Sequence, residues 1–244
     1  MNRYKLKFKP YGSIAILVEW PKEINRDILK NIILFKRKIK TEMADFILDT
    51  VPTYNSLTVF FDTNKIKYSG VVNKAKEIYE KEYTDLKLPY KLWKIPVCYD
   101  DEFGIDLKEI AKSKKISKEK IIQLHHSVIY DVHFVGFLPG FLYLGGLPEE
   151  IHFDRKPKPR QKIVKGAVGI AGGQTGIYPR ESPGGWNIIG NSPINFFDVD
   201  LARPCFAKSG DKLQFVAIDK NEYNKIESEV KSGTYIIESK DYGQ

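Results

Sequence analysis

Apolar residues follow two different periods in the first third of the chain, and each period predicts a different element. Residues 14–18 form a short continuous apolar run, which predicts a buried strand. Apolar residues then recur at steps of four and three, which predicts one face of a helix: Ile24, Ile28, Ile32, Phe35 and Ile39. The order repeats with a strand pair at residues 46–48 and 57–61 and a helix face at Val71, Ala75 and Ile78. The pattern predicts a small α/β sandwich.

The periodicity is interrupted at residues 87–90. Pro89 breaks regular structure there, and a new strand is predicted over residues 93–99. We therefore expect two domains, an N-terminal α/β domain at 1–88 and a second domain at 89–244.

The second domain begins with helices and continues with strands. Asp106 and Glu109 form a capping-box variant that opens a helix, and Ser117 is placed to cap the next one. Short strands alternate with Gly and Pro turns over residues 128–218, which is typical of a compact β-barrel or sandwich. The residues after a last predicted helix, 220–231, are expected to form a peripheral tail.

The chain has a basic surplus that is concentrated in one segment. It carries 39 Lys and Arg against 31 Asp and Glu, a net charge of +8, and residues 155–165 contribute six positive and no negative side chains. We expect an exposed extended loop that steers an anionic substrate or an acidic patch on a partner. Nucleic acid is not an expected partner, because phosphate binding uses a broader basic face with stacking aromatics.

Three features favour a cytoplasmic protein that does not enter a membrane. The two cysteines, Cys98 and Cys205, do not form a disulfide framework or a C-x-x-C pair. Residues 1–9 alternate basic and apolar side chains, unlike a signal peptide. The uncharged stretches, such as residues 134–148, are all shorter than the ~20 residues of a membrane-spanning helix.

Glycine is concentrated in the second domain, where 12 of the 18 glycines lie between Gly136 and Gly190. Their density over residues 166–176 indicates positive φ angles, or places where another backbone or a ligand approaches closely. The stretch is neither a P-loop nor a G-x-G-x-x-G motif, so nucleotide binding by this chain alone is not expected. Neighbouring polar and aromatic residues could hold a small ligand with a carboxylate or amide, or could merely brace a tight loop.

Three blocks of the second domain, in this order and spacing, resemble a known family. They read HSVIYDV at 126–132, VGFLPGFLYL at 135–144, and VGIAGGQTGIYP at 168–179 followed by SPGGW. The family is that of KipI and the B subunit of 5-oxoprolinase (PxpB), also called allophanate hydrolase subunit 1. In the first domain, AILVE at 15–19 and VPTYNSL at 51–57 are also similar to it.

The resemblance implies an α+β protein of two domains, a small α/β sandwich followed by a cyclophilin-like β-barrel. Two places depart from the family pattern. Residues 164–167 replace a usual Val-Pro-x-Gly-Ser run, and Asn55 stands where an Arg is common. These departures are expected to alter local contacts only.

The resemblance further implies the B subunit of the bacterial ATP-dependent 5-oxoprolinase, which opens 5-oxo-L-proline to L-glutamate together with subunits A and C. The chain would be inactive alone. ATP would be a co-substrate of the complex, and it would not be bound by a P-loop in this chain. One alternative is an inhibitor protein that binds a sensor histidine kinase. Another is the carboxyltransferase component of a biotin-dependent urea carboxylase/allophanate system.

Candidate site residues come from the same blocks or, for Arg180, from the gap before SPGGW. The resemblance favours His126 over its neighbour His125 for proton transfer, a role for which imidazole is suited near neutral pH. With it, the predicted catalytic groups are Gln174 and Tyr178, which could orient an amide or carboxylate. The predicted substrate-binding residues are Thr175, Arg180, Trp186, Gly172, Gly173 and Pro139.

Four aromatic residues leave three interpretations open. The side chains of Phe137, Phe141, Tyr143 and Trp186 could line a pocket, pack against the C subunit, or form simple core. His133 and His152 lack the spacing of a metal-binding motif, so no metal site is expected.

Overall fold

The computed structural model describes residues 4–81 and 89–242. The chain divides into two compact units, Met1–Leu88 and Pro89–Gln244. The first two residues of the predicted joint, 87 and 88, lie outside the described residues.

The first unit is a four-stranded antiparallel sheet with two helices on one face, so the predicted α/β sandwich is confirmed. The strand order is β1-β2-β4-β3. Its elements are β1 (Lys7–Tyr11), β2 (Ala15–Glu19), α1 (Arg26–Glu42), β3 (Ile47–Pro52), β4 (Ser56–Phe61) and α2 (Tyr68–Glu80).

The first helix buries four of the five apolar residues that predict it. Ile28, Ile32, Phe35 and Ile39 are fully buried against the sheet, whereas Ile24 precedes the helix and is 41% exposed. The helix begins only after Ile24, because Asn25 is its N-cap. The Asn25 side chain accepts a hydrogen bond from the backbone N–H of Asp27 at 2.7 Å.

The second unit contains most of the strands. Its elements are β5 (Tyr90–Cys98), α3 (Leu107–Lys114), α4 (Lys118–His126), β6 (Ile129–Val135), β7 (Leu142–Gly145), β8 (Arg160–Ile163), β9 (Ala167–Ala171), β10 (Gln174–Ile177), β11 (Ser182–Gly184), β12 (Asn187–Asn191), β13 (Lys212–Ile218), α5 (Lys220–Lys231) and β14 (Ser239–Tyr242).

Seven of these strands close into a barrel, which confirms the predicted fold class. The order around the barrel is β5-β12-β9-β10-β7-β6-β13, and β13 returns to β5 in parallel. Strand β14 pairs antiparallel with β5, so the prediction of a peripheral tail is wrong: residues 239–242 extend the sheet. Its partner lies about 150 positions earlier in the chain, and this pairing leaves no local sequence pattern.

The two predicted helix caps of this unit have different outcomes. The Ser117 hydroxyl accepts a hydrogen bond from the backbone N–H of Lys120 at 3.1 Å, as predicted. Asp106 stands at the start of α3, but its side chain makes no capping hydrogen bond, so the capping-box prediction is wrong. Its carboxylate is engaged by other groups.

Within the described ranges, no helix combines the length and apolar character needed to cross a membrane. Cys98 and Cys205 are both free thiols.

Candidate functional site

The glycine-rich strands β9 and β10 turn one face inward and the other outward. Val168, Ile170 and Ile177 belong to the core inside the barrel, whereas Gly169 and Gly176 lie on the outer face. These two glycines are register partners across the strand pair. The outer face is therefore bare of side chains at its centre.

Aromatic rings cover these bare positions. A Cβ atom on Gly176 would lie 3.0 Å from Cε1 of Phe141 and 2.7 Å from the backbone oxygen of Leu142. A Cβ atom on Gly169 would lie 3.2 Å from Cβ of Trp186. The close approach that the glycines predict is made by the chain's own rings and backbone.

The rings form an outer aromatic cluster of Phe141, Tyr143, Tyr178 and Trp186. The centroid of the Phe141 ring lies 4.7 Å from that of Tyr143, 5.1 Å from that of Tyr178 and 5.4 Å from that of Trp186. Except for Tyr143, all members are buried. The guanidinium of Arg155 lies over the Trp186 ring, 5.8 Å from its centroid. Three of the four aromatic residues are thus core, and Tyr143 remains half-exposed.

Tyr178 connects this cluster to the loop that carries Trp186. Its hydroxyl oxygen is hydrogen-bonded by backbone at Trp186, and a Cβ atom on Gly184 would lie 2.3 Å from that oxygen. Burial raises the pKa of Tyr178 to about 12, so the phenol stays protonated at neutral pH. The structure brings these two predicted site residues together through this hydrogen bond.

The predicted ligand contacts Gly172 and Gly173 form the turn between β9 and β10. Gly172 has a φ of +57° and exchanges two backbone hydrogen bonds with Phe153, at 2.7 and 3.3 Å. A Cβ atom on Gly173 would lie 2.9 Å from the ring of His152. The turn is therefore packed beneath residues 152–153, and the half-buried Gln174 follows directly after it.

The structure places Thr175 beside His125, the neighbour of the predicted His126. His125 is fully buried and stacks on Phe215, with ring centroids 4.5 Å apart. The Thr175 hydroxyl donates to the carbonyl oxygen of Gly169 at 3.0 Å and contacts Nε2 of His125 at 2.9 Å. Since the hydroxyl proton is already engaged, Nε2 carries a proton and donates it to Thr175.

The remaining ring nitrogen of His125 completes a neutral network. Nδ1 lies 2.8 Å from the Tyr99 hydroxyl, which is then the donor. Burial lowers the pKa of His125 to about 3, with a smaller effect from His126. Thr175 and His125 thus bond to each other inside the barrel, while His126 is the half-buried last residue of α4.

This network predicts a pH-dependent cost for His125→Gln. At pH 7 the variant should lose about 2 to 4 kcal/mol of unfolding free energy, because two hydrogen bonds and a stacked ring are removed. Between pH 6.5 and about 3, His125 is protonated in the unfolded state but stays neutral in the folded state. The free energy of unfolding of the wild type therefore falls as the pH is lowered. The difference in unfolding free energy between wild type and variant should therefore decrease by about 2 kcal/mol from pH 7 to pH 5.

Urea unfolding at both pH values measures this gap. His126→Gln is the matched control and should leave stability nearly unchanged at each pH. A gap of constant size for His125→Gln would contradict the assignment of a buried neutral imidazole.

Two further predicted contacts, Arg180 and Pro139, lie in exposed loops. Pro139 belongs to a loop at residues 136–140 in which Phe137 is 64% exposed and has a φ of +66°. A side chain at positive φ is strained, and such strain is concentrated at functional sites. No described contact joins either residue to His126 or Gln174.

A groove beside the aromatic cluster was not predicted. It has a volume of about 530 Å³ and is lined by Glu109, Phe153, Asp154, Arg155, Lys156, Pro157, Lys158 and Asn187. It adjoins the cluster through Arg155, which covers Trp186, and the glycine turn through Phe153. The glycine stretch itself does not line it.

The basic segment that forms one side of this groove is anchored by Asp106. The carboxylate of Asp106, with 3% of its side chain exposed, accepts hydrogen bonds from Arg160 at 2.6 and 2.9 Å. It also lies 3.0 Å from Nζ of Lys156 and accepts the backbone N–H of Ile188 at 2.7 Å. Most of residues 155–165 are exposed, as predicted, but Arg160–Ile163 form β8, and two of the six cations of the segment are held by this one buried carboxylate.

Asn187 forms part of the groove wall and holds the neighbouring backbone. Its amide nitrogen donates to the carbonyl oxygens of Asp154 at 2.7 Å and Ile170 at 3.4 Å. The opposite amide atom, Oδ1, is buried and receives no hydrogen bond from a described residue. Asn187 stands in no recognisable motif, the motif around Asp106 predicts only a helix cap, and only the excess of cations at residues 155–165 hints at a buried anion.

Metal binding has no candidate in the described part of the chain. No three His, Cys, Asp or Glu side chains there are grouped closely enough to hold an ion. His152 instead has Nε2 3.0 Å from the carbonyl oxygen of Leu147.

The barrel and its glycine strands define the class of protein. Residues 6–207 match the family model described as carboxyltransferase domain, subdomain C and D. A crystal structure of the urea amidolyase of Kluyveromyces lactis has the same fold, with a TM-score of 0.86 at 19% identity. The match covers 98% of this chain but only 16% of that much longer protein.

Closer relatives identify the family. The chain is 33% identical to the 5-oxoprolinase B subunit of Bacillus subtilis, over 93% of this chain and 98% of the relative. It is 36% identical to the 5-oxoprolinase B subunit of Haemophilus influenzae, over 85% of this chain and 95% of the relative. The chain belongs to the family of 5-oxoprolinase B subunits.

Proposed function

We propose that this chain is the B subunit of an ATP-dependent 5-oxoprolinase and opens 5-oxo-L-proline to L-glutamate together with subunits A and C. The observation that carries the proposal is the extent of the match. Relatives that bear the B-subunit name align over 84–93% of this chain and 93–98% of their own length. A protein of different architecture that shared one domain would not align in this way.

The chemistry explains why several subunits are needed. A five-membered lactam is an unreactive amide, and its opening is unfavourable unless it is coupled to ATP. Phosphorylation of the amide oxygen would provide a leaving group before water completes the cleavage. Since the glycine stretch lacks the Gly-Lys-Ser/Thr end of a P-loop, ATP would be bound largely by the partners.

Within this chain, the outer face of the barrel is the best candidate for the part that meets substrate. Gln174 is half-buried there, and its amide can both donate to a carboxylate and accept from a lactam N–H. Exposed Arg155 and Lys158 line the adjoining groove and can pair with an anion. Tyr178 and Trp186 support this face by packing, and both are buried.

Gln174→Ala should therefore lower the turnover of the reconstituted complex roughly tenfold, because a hydrogen bond to the reacting amide is worth about 1 to 1.5 kcal/mol. Tyr178→Phe should lower it less, by releasing the loop that carries Trp186. Steady-state kinetics of the three-subunit mixture measure both effects. Gln123→Ala, which changes an exposed glutamine on α4, is the control and should leave turnover unchanged. Unchanged kinetics for Gln174→Ala would remove this residue from the site.

The exposed loop at residues 136–140 is proposed to contact the C subunit. Phe137 is 64% exposed, and Phe197, which lies against Gly140 of the same loop, is 38% exposed. Adjacent exposed aromatic residues are typical of interface anchors. The strain at Phe137 would then be offset by its burial in the complex.

Phe137→Ser should weaken the binding of the C subunit by about 2 kcal/mol, the loss expected for an aromatic anchor. Ile236→Ser is the matched control, because Ile236 is 87% exposed and lies far along the chain from this loop. Titration of each variant with the C subunit measures the affinity. Equal weakening by both variants, or none by Phe137→Ser, would contradict the assignment.

Growth provides a direct test of the function. Cells that lack their own 5-oxoprolinase would receive the cognate subunits A and C, with or without this chain, and 5-oxoproline as the sole nitrogen source. Growth only when this chain is present is the expected result. Growth without it, or no growth when all three subunits are produced, would contradict the proposal.

A further inference from the structure

The first unit carries a groove that the function proposed above does not involve. Its volume is about 430 Å³, and it is lined by Lys5, Lys7, Lys9, Glu19, Trp20, Pro21, Lys22 and Asn55. We call it the lysine groove. One wall is formed by β1 together with Lys5, which precedes it. A second wall is formed by the end of β2 and residues 20–22, and a third by the turn between β3 and β4. Four lysines from separate positions thus face one concavity.

The fold explains why the β1 lysines share a face. Residues two apart on a strand point to the same side, so Lys5, Lys7 and Lys9 are opposite to the side of Phe8, which packs on the core. Lys7 is the register partner of Glu19 on β2, which brings the carboxylate to the same surface. The backbone N–H of Trp20 donates to the carbonyl oxygen of Asn55 at 2.8 Å and fixes the third wall.

The groove has more positive charge than its one carboxylate can neutralise. Glu19 forms a salt bridge with Lys9 at 2.6 Å. In the described ranges, Lys5, Lys7 and Lys22 form no salt bridge of their own. The hydrogen bond from Lys9, followed by the charges of Lys9, Lys7 and Lys22, lowers the pKa of Glu19, which indicates that these ammonium groups converge.

We propose that the lysine groove is a binding site for a multiply charged phosphate compound of the polyphosphate class. Lysine ammonium groups are compact, strongly hydrated point charges that bind phosphate without a fixed geometry. A concavity lined by one sign of charge concentrates oppositely charged ligands. The anion would neutralise the lysines that Glu19 leaves uncompensated.

The groove offers charge but no stacking platform. The Trp20 ring is 4% exposed, and its Nε1 donates to Oδ1 of Asn31 at 2.9 Å. A nucleobase would therefore find no aromatic face, and recognition is confined to the phosphate groups. Tripolyphosphate and ATP should bind with similar affinity, because the adenosine contributes little.

Protection of an open sheet edge is the simplest competing explanation. Strand β1 is at the edge of its sheet, and lysines on edge strands prevent the addition of strands from other molecules. This explains Lys7 and Lys9. It does not explain Lys22 or Asn55, which other elements bring to the same groove.

Calorimetric titration of the full chain with sodium tripolyphosphate at fixed low ionic strength tests the proposal. The variant Lys7→Gln/Lys22→Gln should bind roughly tenfold more weakly than wild type, as expected when two lysine contacts are lost. The control Lys112→Gln/Lys240→Gln removes the same charge from exposed positions of the second unit and should bind as wild type does. Circular dichroism verifies that both variants are folded.

Absence of tripolyphosphate binding to wild type would overturn the proposal. So would equal weakening in both double variants, since net charge alone would then explain the affinity. Much tighter binding of ATP than of tripolyphosphate would overturn the conclusion that phosphate alone is recognised. The titration uses the isolated chain, so its failure would leave the proposed 5-oxoprolinase role untouched.

Discussion

Replacing Asp106 by alanine should lower the free energy of unfolding by about 3 to 5 kcal/mol, the range found when one partner of a buried ion pair is removed. The Asp106 carboxylate is held by the guanidinium of Arg160, the ammonium of Lys156 and the backbone N–H of Ile188. Its removal leaves two partly buried cations without their shared anion and one backbone donor without an acceptor. The position also joins α3 to β12 and to the basic segment, so the loss extends across several elements.

Urea denaturation at pH 7 measures this effect, with Asp101→Ala as the control. Asp101 is likewise paired with two lysines, Lys108 at 2.7 Å and Lys118 at 2.6 Å, but its side chain is 49% exposed. An exposed pair is worth about 1 kcal/mol or less. Equal losses in the two variants would show that burial at Asp106 does not strengthen its ion pairs.

Gly166→Ala should lower the free energy of unfolding by about 2 to 5 kcal/mol, because overpacking and an unfavourable backbone conformation both destabilise the variant. Gly166 has a φ of +78°, and a Cβ atom there would lie 2.2 Å from the backbone oxygen of Ser192. That oxygen has little freedom to move, because the N–H of Ser192 donates to the carbonyl oxygen of Gly166 at 2.8 Å. The substitution must therefore displace one strand end from another.

Gly172→Ala separates the two causes. Gly172 also has a positive φ, +57°, but nothing lies within 4 Å of the position that a Cβ atom would take there. Its cost should be about 1 kcal/mol, from backbone strain alone. Unfolding curves of both variants give the comparison. If Gly172→Ala were as damaging as Gly166→Ala, close packing would not be the reason for glycine at position 166.

Local patterns in the sequence predict local structure well. The step of three and four residues in α1 and the capping serine at position 117 depend on neighbours within one or two helical turns. The high glycine content predicts close backbone approach, and Gly166 and Gly176 show it. These features depend on short-range geometry, which local residue patterns are sufficient to predict.

Long-range pairings are where the sequence is insufficient. Asp106 has the position of a helix cap, yet its partner Arg160 is 54 residues away. Likewise, the resemblance favours His126, but the helix phase of α4 turns His125 into the barrel toward Thr175, 50 residues further on. Which of two adjacent residues faces inward depends on the packing of α4 against the barrel, and the sequence leaves this open. The groove at residues 153–158 has the same origin, since α3 and β12 complete it.

ATP hydrolysis that depends on 5-oxoproline provides the most direct measurement of whether the chain works as one subunit of a larger enzyme. The purified chain, its cognate subunits A and C, and their mixtures would be assayed with and without 5-oxoproline, and glutamate would be quantified in parallel. Only the mixture of all three should hydrolyse ATP in response to 5-oxoproline and release glutamate. Full activity of the isolated chain, or of subunits A and C without it, would contradict this assignment.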